Sequence, residues 1–283
     1  MAEYRTRALV LRVWEHRESD RLVHLFTEQL GRIAAIAKGA RRSRKRFPGT
    51  LEILTVLEIR VVDPPRASLL RLESARLLQP FERFSNDLPR YALACHVAEI
   101  LERLSGEREA SPELFRFALG VLDVLAAERI DALLALLVGT KLLARLGFRP
   151  QLARCAVCGE PLGEDQPAAF SPREGGAVCA ACSPGKEGRV PARLLLGLEA
   201  GLRLPLSRRG ELGLGPADLE QADRLLERFS LYHVDVQLRS RAFLRDILRG
   251  GRCGPRDPGG RPRGSPDPIP SHSGVIPSGS GHL

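Results

Sequence analysis

The hydrophobic period of this chain changes once, between Pro80 and Pro89, and the two sides of that change can only become different kinds of structure. Before it, apolar residues recur at nearly every second position: Leu9, Val10, Leu11 and Val13, then Leu22, His24 and Phe26, then residues 33–37 after Gly31. Past Pro48 and Gly49, Ile53, Thr55, Leu57, Ile59 and Val61 share one face while Glu52, Glu58 and Arg60 take the other, until Asp63-Pro64-Pro65 ends the run. A fifth run covers 69–77. Side chains alternate across a strand, so this pattern predicts five short strands. Five strands in about 75 residues suit a small closed barrel, of which the oligonucleotide-binding type is one solution among several.

From Pro89 the period becomes helical. Tyr91, Ala94, Val97, Ala98, Leu101 and Leu104 lie on one face, with Glu99, Glu102 and Arg103 opposite. Ser111-Pro112-Glu113 opens a second helix, with proline in the first turn where its missing N–H is harmless, followed by Leu114, Phe117, Val121 and Leu125. A third is expected over about 131–146, stopped by Gly147, and helical patterns return over 191–204 and 216–248. The stretch 150–188 is rich in glycine and proline and shows neither period, so it reads as an insertion in the helical domain. The fold class is therefore α+β. A barrel domain spans 1–80, a helical domain with the insertion spans 81–249, and a Gly/Pro/Ser/Arg-rich tail over 250–283, with little apolar surface to bury, is expected to be disordered.

The insertion carries Cys155-Ala-Val-Cys158-Gly159 and, with twenty residues between Cys158 and Cys179, Cys179-Ala-Ala-Cys182. Two residues between cysteines let both thiolates turn onto one cation, and two such pairs complete a tetrahedron, so Cys155, Cys158, Cys179 and Cys182 are expected to hold one zinc. Four protein ligands leave no open position for water, which makes the site structural rather than hydrolytic. Gly159 suits the tight turn after the second cysteine. The alternative, a pair of thioredoxin-like redox motifs, lacks a strand before and a helix after either pair. Cys95 and Cys253 have no cysteine partner at ligand spacing.

Lysine and arginine number 43 against 34 acidic residues, a formal charge of +9. Scattered arginine means little, but Lys38-Gly39-Ala40-Arg41-Arg42-Ser43-Arg44-Lys45-Arg46 places six cations and no acid in nine residues between two expected strands. Such density on a barrel loop makes a sequence-independent phosphate track, because each engaged cation releases condensed counterions. Only 5% of residues are aromatic, so base stacking is expected to be a minor term and binding backbone-led.

Several functions find no support. No signal peptide is apparent and the longest apolar stretch, 132–140, is under half of the ~20 residues a membrane helix needs, so neither export nor membrane insertion is expected. No phosphate loop ending in Lys-Ser or Lys-Thr is present, nor any histidine pair at metal spacing. Glu15, Glu18 and Asp20 form a small acidic group that nothing completes into a two-metal nuclease site.

These pieces together resemble the RecO family of bacterial DNA-repair and recombination mediators. The likeness rests on Ala8-Leu9-Val10-Leu11-Arg12, Glu18-Ser19-Asp20-Arg21-Leu22-Val23, Phe26-Thr27, Gly31-Arg32, Lys38-Gly39-Ala40-Arg41-Arg42 and the late Leu238-Arg239-Ser240-Arg241-Ala242-Phe243-Leu244, over roughly 4–249. The resemblance implies an oligonucleotide-binding barrel followed by a helical domain with a zinc-ribbon insertion. It implies a cytoplasmic, non-enzymatic protein, associated with the nucleoid during repair. Such a protein binds single- and double-stranded DNA, anneals complementary strands, and with RecR helps load RecA onto strands coated by single-strand-binding protein. By position, Lys38, Arg41, Arg42, Arg44 and Lys45 are the family-like DNA contacts, with Arg46 added by the charge run itself. Some members of the family lack the cysteines, which assigns the zinc to folding rather than to the shared activity. The competing functions are a zinc-ribbon nucleic-acid enzyme, such as a metal-dependent nuclease, and a sequence-specific DNA-binding regulator.

Overall fold

The computed structural model describes residues 2–43, 45–65, 69–81, 84, 86–183, 188–234 and 236–250. Five strands come first: β1 (Ala2–His16), β2 (Asp20–Thr27), β3 (Gly31–Ala37), β4 (Val56–Asp63) and β5 (Leu70–Gln79). They are ordered β1-β2-β3-β5-β4, and β4 returns to pair with β1, so the sheet closes into a barrel. All pairs are antiparallel except the short parallel contact of Ala35 and Ile36 with Leu70 and Arg71. The interior is filled by Ala8, Val10, Val23, Leu25, Ile33, Ala35, Leu57, Ile59, Val61 and Leu72, the alternate positions of each strand. A register irregularity between Val10 and Arg12 re-phases β1, so Val13 again packs inward and Arg12 and Trp14 face out.

The fourth strand begins later than the apolar alternation suggests. Leu54 has φ +66°, a left-handed conformation that ends strand geometry, and its N–H donates to the Val10 carbonyl. Leu54 joins a second core, with Ile53 packed against it, so the alternation there serves two different cores.

That second core is helical. It is built by α1 (Leu88–Leu104), α2 (Pro112–Ala127) and α3 (Ala132–Arg145), with Leu93, Val97, Leu101, Phe115, Leu122, Leu134 and Val138 fully buried. Asp87 and Asp131 cap α1 and α3, accepting from the N–H groups of Arg90 and Leu134 at 3.0 and 2.7 Å. Gly147, at φ +93°, follows the end of α3 as expected. The outer face of the barrel contributes Leu9, Leu11 and Phe26 to the same core, where Phe26 lies 6.0 Å from Phe115.

Beyond α3, the cysteine-bearing stretch does contain strands: β6 (Pro167–Ser171), β7 (Gly176–Cys179) and β8 (Arg189–Pro191), ordered β7-β6-β8. They are too short for a period to register in the sequence. Helix α4 (Ala192–Arg203) follows β8 directly, and a 3-10 segment (Leu206–Leu212) leads to α5 (Pro216–Val234). The helical pattern over 216–248 divides into α5 and α6 (Arg239–Leu248). The start of α6 is set from outside its own sequence: Glu99 on α1 accepts the N–H groups of Arg239 and Ser240 at 2.9 and 2.8 Å. Residues 251–283, where disorder is expected and where Cys253, His272 and His282 fall, lie outside the described residues.

Candidate metal centre and nucleic-acid interface

Cys155 and Cys158 sit on a turn whose closing bonds are Gly159 N–H to Cys155 O at 2.9 Å and Cys155 N–H to Glu160 O at 2.8 Å. Gly159 has φ +79°, the conformation expected of the residue after the second cysteine. Cys179 is the last residue of β7, and the N–H groups of Cys182 and Ser183 both donate to its carbonyl, at 3.1 and 3.0 Å. The two turns are laced together by Ala156 N–H to Ala177 O at 2.7 Å and by Cys179 N–H to Cys155 Sγ at 3.4 Å.

All four Sγ atoms consequently lie within 4.8 Å of one another. Cys158 and Cys179 are 3.8 Å apart, far beyond a disulfide. A tetrahedron of sulfurs around a cation with bonds of ~2.3 Å has edges of ~3.8 Å, the Cys158–Cys179 separation, so the donor set is of the size and chemistry to hold a metal. The charges make the same point. Burial pushes the Cys155 thiol up, but backbone N–H groups of Cys158, Cys179 and Val157 more than offset it and bring it down to about 6. Hydrogen bonding to Cys179 and then Cys158 pushes Cys182 up to about 12. Four thiolates this close cannot all be anionic without a cation between them. Among the described residues, this quartet is the one group of three or more His, Cys, Asp or Glu side chains that converges in this way.

The sequence-predicted DNA contacts lie on the connection from β3 to β4. Lys38, Arg41, Arg42, Lys45 and Arg46 are exposed, and Arg44 lies outside the described residues. The connection is folded against the β1–β2 turn. Asp20 Oδ1 accepts the Gly39 N–H at 2.8 Å, the chief cause of its carboxyl titrating below the usual range. Arg41 reaches Glu15 Oε2 at 3.5 Å and the Glu18 carbonyl at 3.3 Å, while Arg42 reaches Glu18 Oε2 at 3.8 Å. Arg46 donates to the Lys38 carbonyl at 2.7 Å and lies over the Phe47 ring, 5.3 Å from its centroid. The acidic group considered above for a two-metal nuclease site is thus divided: Asp20 holds the loop, and Glu15 and Glu18 pair with its arginines.

Sequence reasoning treated the histidines one at a time and missed what surrounds two of them. His24 Nδ1 lies 2.9 Å from Glu102 on α1, which also approaches Arg12 at 3.7 Å; the His24 ring meets Trp14 edge-on at 4.5 Å. His96, 5% exposed, contacts Ser240 Oγ at 2.7 Å. Burial, and then the nearby Arg241, bring it down to about 4. It lines a cavity of about 500 Å³ between α1, α3, α5 and α6. The Arg241 and Arg245 guanidinium groups beside that cavity are paired with Asp223 and Glu227 at 2.7 and 2.6 Å. Lys141, just past the apolar stretch 132–140, is a buried cation; its ammonium donates to the Leu202 and Leu204 carbonyls at 2.7 and 2.8 Å, closing the end of α4. No described helix is long and apolar enough to cross a membrane.

Residues 1–81 match the family described as Recombination protein O N terminal, and residues 85–242 match Recombination protein O C terminal. Among curated proteins, the DNA repair protein RecO of Anaeromyxobacter sp. (strain K) is 37% identical over 249 residues, covering 84% of this chain and 94% of the relative. The DNA repair protein RecO of Anaeromyxobacter dehalogenans (strain 2CP-C) is 38% identical over 256 residues, 86% of this chain and 97% of the relative. That of Myxococcus xanthus (strain DK1622) is 34% identical over 255 residues, 87% and 99% respectively. With a closed N-terminal barrel, a helical body and both family matches spanning nearly all described residues, the chain belongs to the RecO family of DNA repair and recombination proteins.

Proposed function

We propose that this chain is a non-enzymatic mediator that binds single- and double-stranded DNA, anneals complementary strands and, with RecR, helps load RecA onto strands coated by single-strand-binding protein. The observation that carries this reading is the concentration of cations on the β3–β4 connection of a closed barrel, in a chain of this family. Lys38, Arg41, Arg42, Arg44, Lys45 and Arg46 are the proposed phosphate contacts. Annealing needs no catalytic group: neutralised phosphates lower the repulsion between two strands, and base pairing supplies the driving free energy. The protein works in the bacterial cytoplasm, on the nucleoid during repair.

The cysteine quartet holds zinc in this reading. With four thiolate ligands the ion supplies folding free energy and no open position for water, so it fixes the small sheet and takes no part in strand pairing.

Purified protein incubated with labelled complementary strands, with and without Mg²⁺, is expected to give annealed, uncut product in both conditions; shortened strands in Mg²⁺ would mean a nuclease instead. A preference for one duplex sequence above background would mean a regulator. Four to six phosphate contacts give a log–log salt slope of about −3 to −4 on single strands. Replacing Arg41, Arg42, Arg44 and Lys45 together by alanine should flatten that slope by about 3, and an unchanged slope would place the contacts elsewhere.

A further inference from the structure

The irregularity after Val10 leaves three cross-strand neighbours on the outer barrel face: Trp14 on β1 opposite Leu22 on β2, which is opposite Ile36 on β3. The next row is Arg12, His24 and Ala34 in the same order. Leu9, Leu11 and Phe26, on the same outer face, are covered by the helical core, but Trp14, Leu22 and Ile36 pack into neither that core nor the barrel interior. The row is half-buried and apolar, and the strand that carries Ile36 runs directly into Lys38 and the basic connection. Trp14 is also the immediate neighbour of Glu15, the partner of Arg41.

The flat groups here are held in place. The Arg12 guanidinium lies over the Trp14 ring, 4.8 Å from its centroid, and its side chain is 51% exposed. His24 meets Trp14 at an interplanar angle of 75°. Glu102 on α1 fixes both flanks, at 2.9 Å from His24 and 3.7 Å from Arg12. A planar cation backed by indole is therefore presented to solvent beside a phosphate track.

We propose that the Arg12–Trp14 stack is a base-stacking ledge that makes this chain bind single strands more tightly than duplex. The proposal rests on the reading of the basic connection as a DNA surface. Cations alone bind both forms, since both expose phosphates, whereas the faces of bases are free only in a single strand. Guanidinium and aromatic planes accept any base face, so the ledge adds single-strand affinity without sequence preference. The low aromatic content pointed to minor stacking throughout; the fold instead sets the sole tryptophan in the row of Leu22 and Ile36, on the strand face that leads into the basic connection.

Because Trp14 is the chain's single tryptophan, its emission reports this site alone. Full-length protein is titrated with an oligothymidylate and with a duplex of equal length, following Trp14 emission and the anisotropy of a label on the DNA. The oligothymidylate is expected to change the emission and the duplex to bind with little change. Arg12→Ala and Trp14→Leu should each weaken the single strand about tenfold, leave duplex affinity and salt slope unaltered, and Trp14→Phe should recover most of the loss. If Trp14→Leu does not fold, Arg12→Ala decides the matter with the reporter intact. Single-strand affinity at the native level in Arg12→Ala, or equal losses on both DNA forms, would overturn the ledge. Removing the basic connection's cations weakens both forms and flattens the slope, so the two proposals fail in distinguishable ways; wild-type protein that binds neither form ends both.

Discussion

The cysteine turns and the basic connection are both short runs with an obvious chemical signature, yet the structure treats them differently. The four sulfurs meet because each Cys-x-x-Cys turn is closed by its own backbone, with Gly159 in a left-handed conformation and two N–H groups on the Cys179 carbonyl. The arginines of the connection are positioned by residues some twenty places upstream, Glu15, Glu18 and Asp20. Chelation acts over a few ångströms and is written into spacing, whereas a charge run acquires its meaning from whatever the fold sets beside it.

The largest expected effect tests the first half of that contrast. Structural zinc sites of this kind contribute about 10 kcal/mol or more to folding of the segment that carries them. Cys155→Ser, or a strong chelator, should therefore release zinc, close to one ion per chain, and abolish amide protection over 151–183. Barrel amides and single-strand affinity should remain near native. Hydrogen exchange read by mass spectrometry checks this. A reduced, metal-free protein with those amides still protected would show that the small sheet is held by packing alone, through Phe170 against Phe229 and its neighbours.

The same contrast explains how much was legible beforehand. The five strands, the first three helices and the convergence of the four cysteines follow from local periods and spacing, and each is found. What escaped notice depends on distant partners. The late start of β4 follows from Leu54 joining the helical core, and β6, β7 and β8 are three to five residues each, too short to show a period. The break between α5 and α6 is fixed by Glu99, 140 residues upstream of Arg239. The acids that meet Arg41 and Arg42 were visible in the sequence, but their pairing depends on the fold that sets the β1–β2 turn beside the connection.

His96 is a sharper case, because its partner Ser240 is 144 residues away. Burial comes first and the Arg241 charge second in taking it down to about 4, opposed by Glu99 and Asp223. Unfolded, it titrates near 6.5, so between those values the unfolded chain binds a proton that the folded chain does not. Stability is complete above 6.5 and is lost as pH falls toward 4, by about 3 kcal/mol from this group. Burial pushes the Glu99 carboxyl up, but the bonds from Ser240 and Arg239 more than offset it, so its contribution is lost only as pH falls below the ordinary glutamate range. Denaturant midpoints at pH 7, 5.5 and 4.5 should fall in the native chain and fall less in His96→Gln. Parallel curves would mean that the imidazole takes up its proton as readily in the fold as in the unfolded chain.

The smallest expected effect bears on the second half of the contrast. The pairs of Arg41 with Glu15 and Arg42 with Glu18 are long, at 3.5 and 3.8 Å, and both partners of each are solvent-exposed. Exposed pairs of this kind contribute about 0.2–1 kcal/mol, which a phosphate must displace before it can engage the guanidinium. Glu15→Gln with Glu18→Gln should thus tighten binding to an oligothymidylate about two- to fivefold at low salt, with the gain shrinking as salt rises. Asp20→Ala should act oppositely despite removing the same charge, because Asp20 holds the Gly39 N–H and with it the course of the loop. Charge removal that tightens at two positions and weakens at the third is the signature of a basic segment shaped by its acidic neighbours. Equal tightening at all three would reduce the acids to a simple background of negative charge.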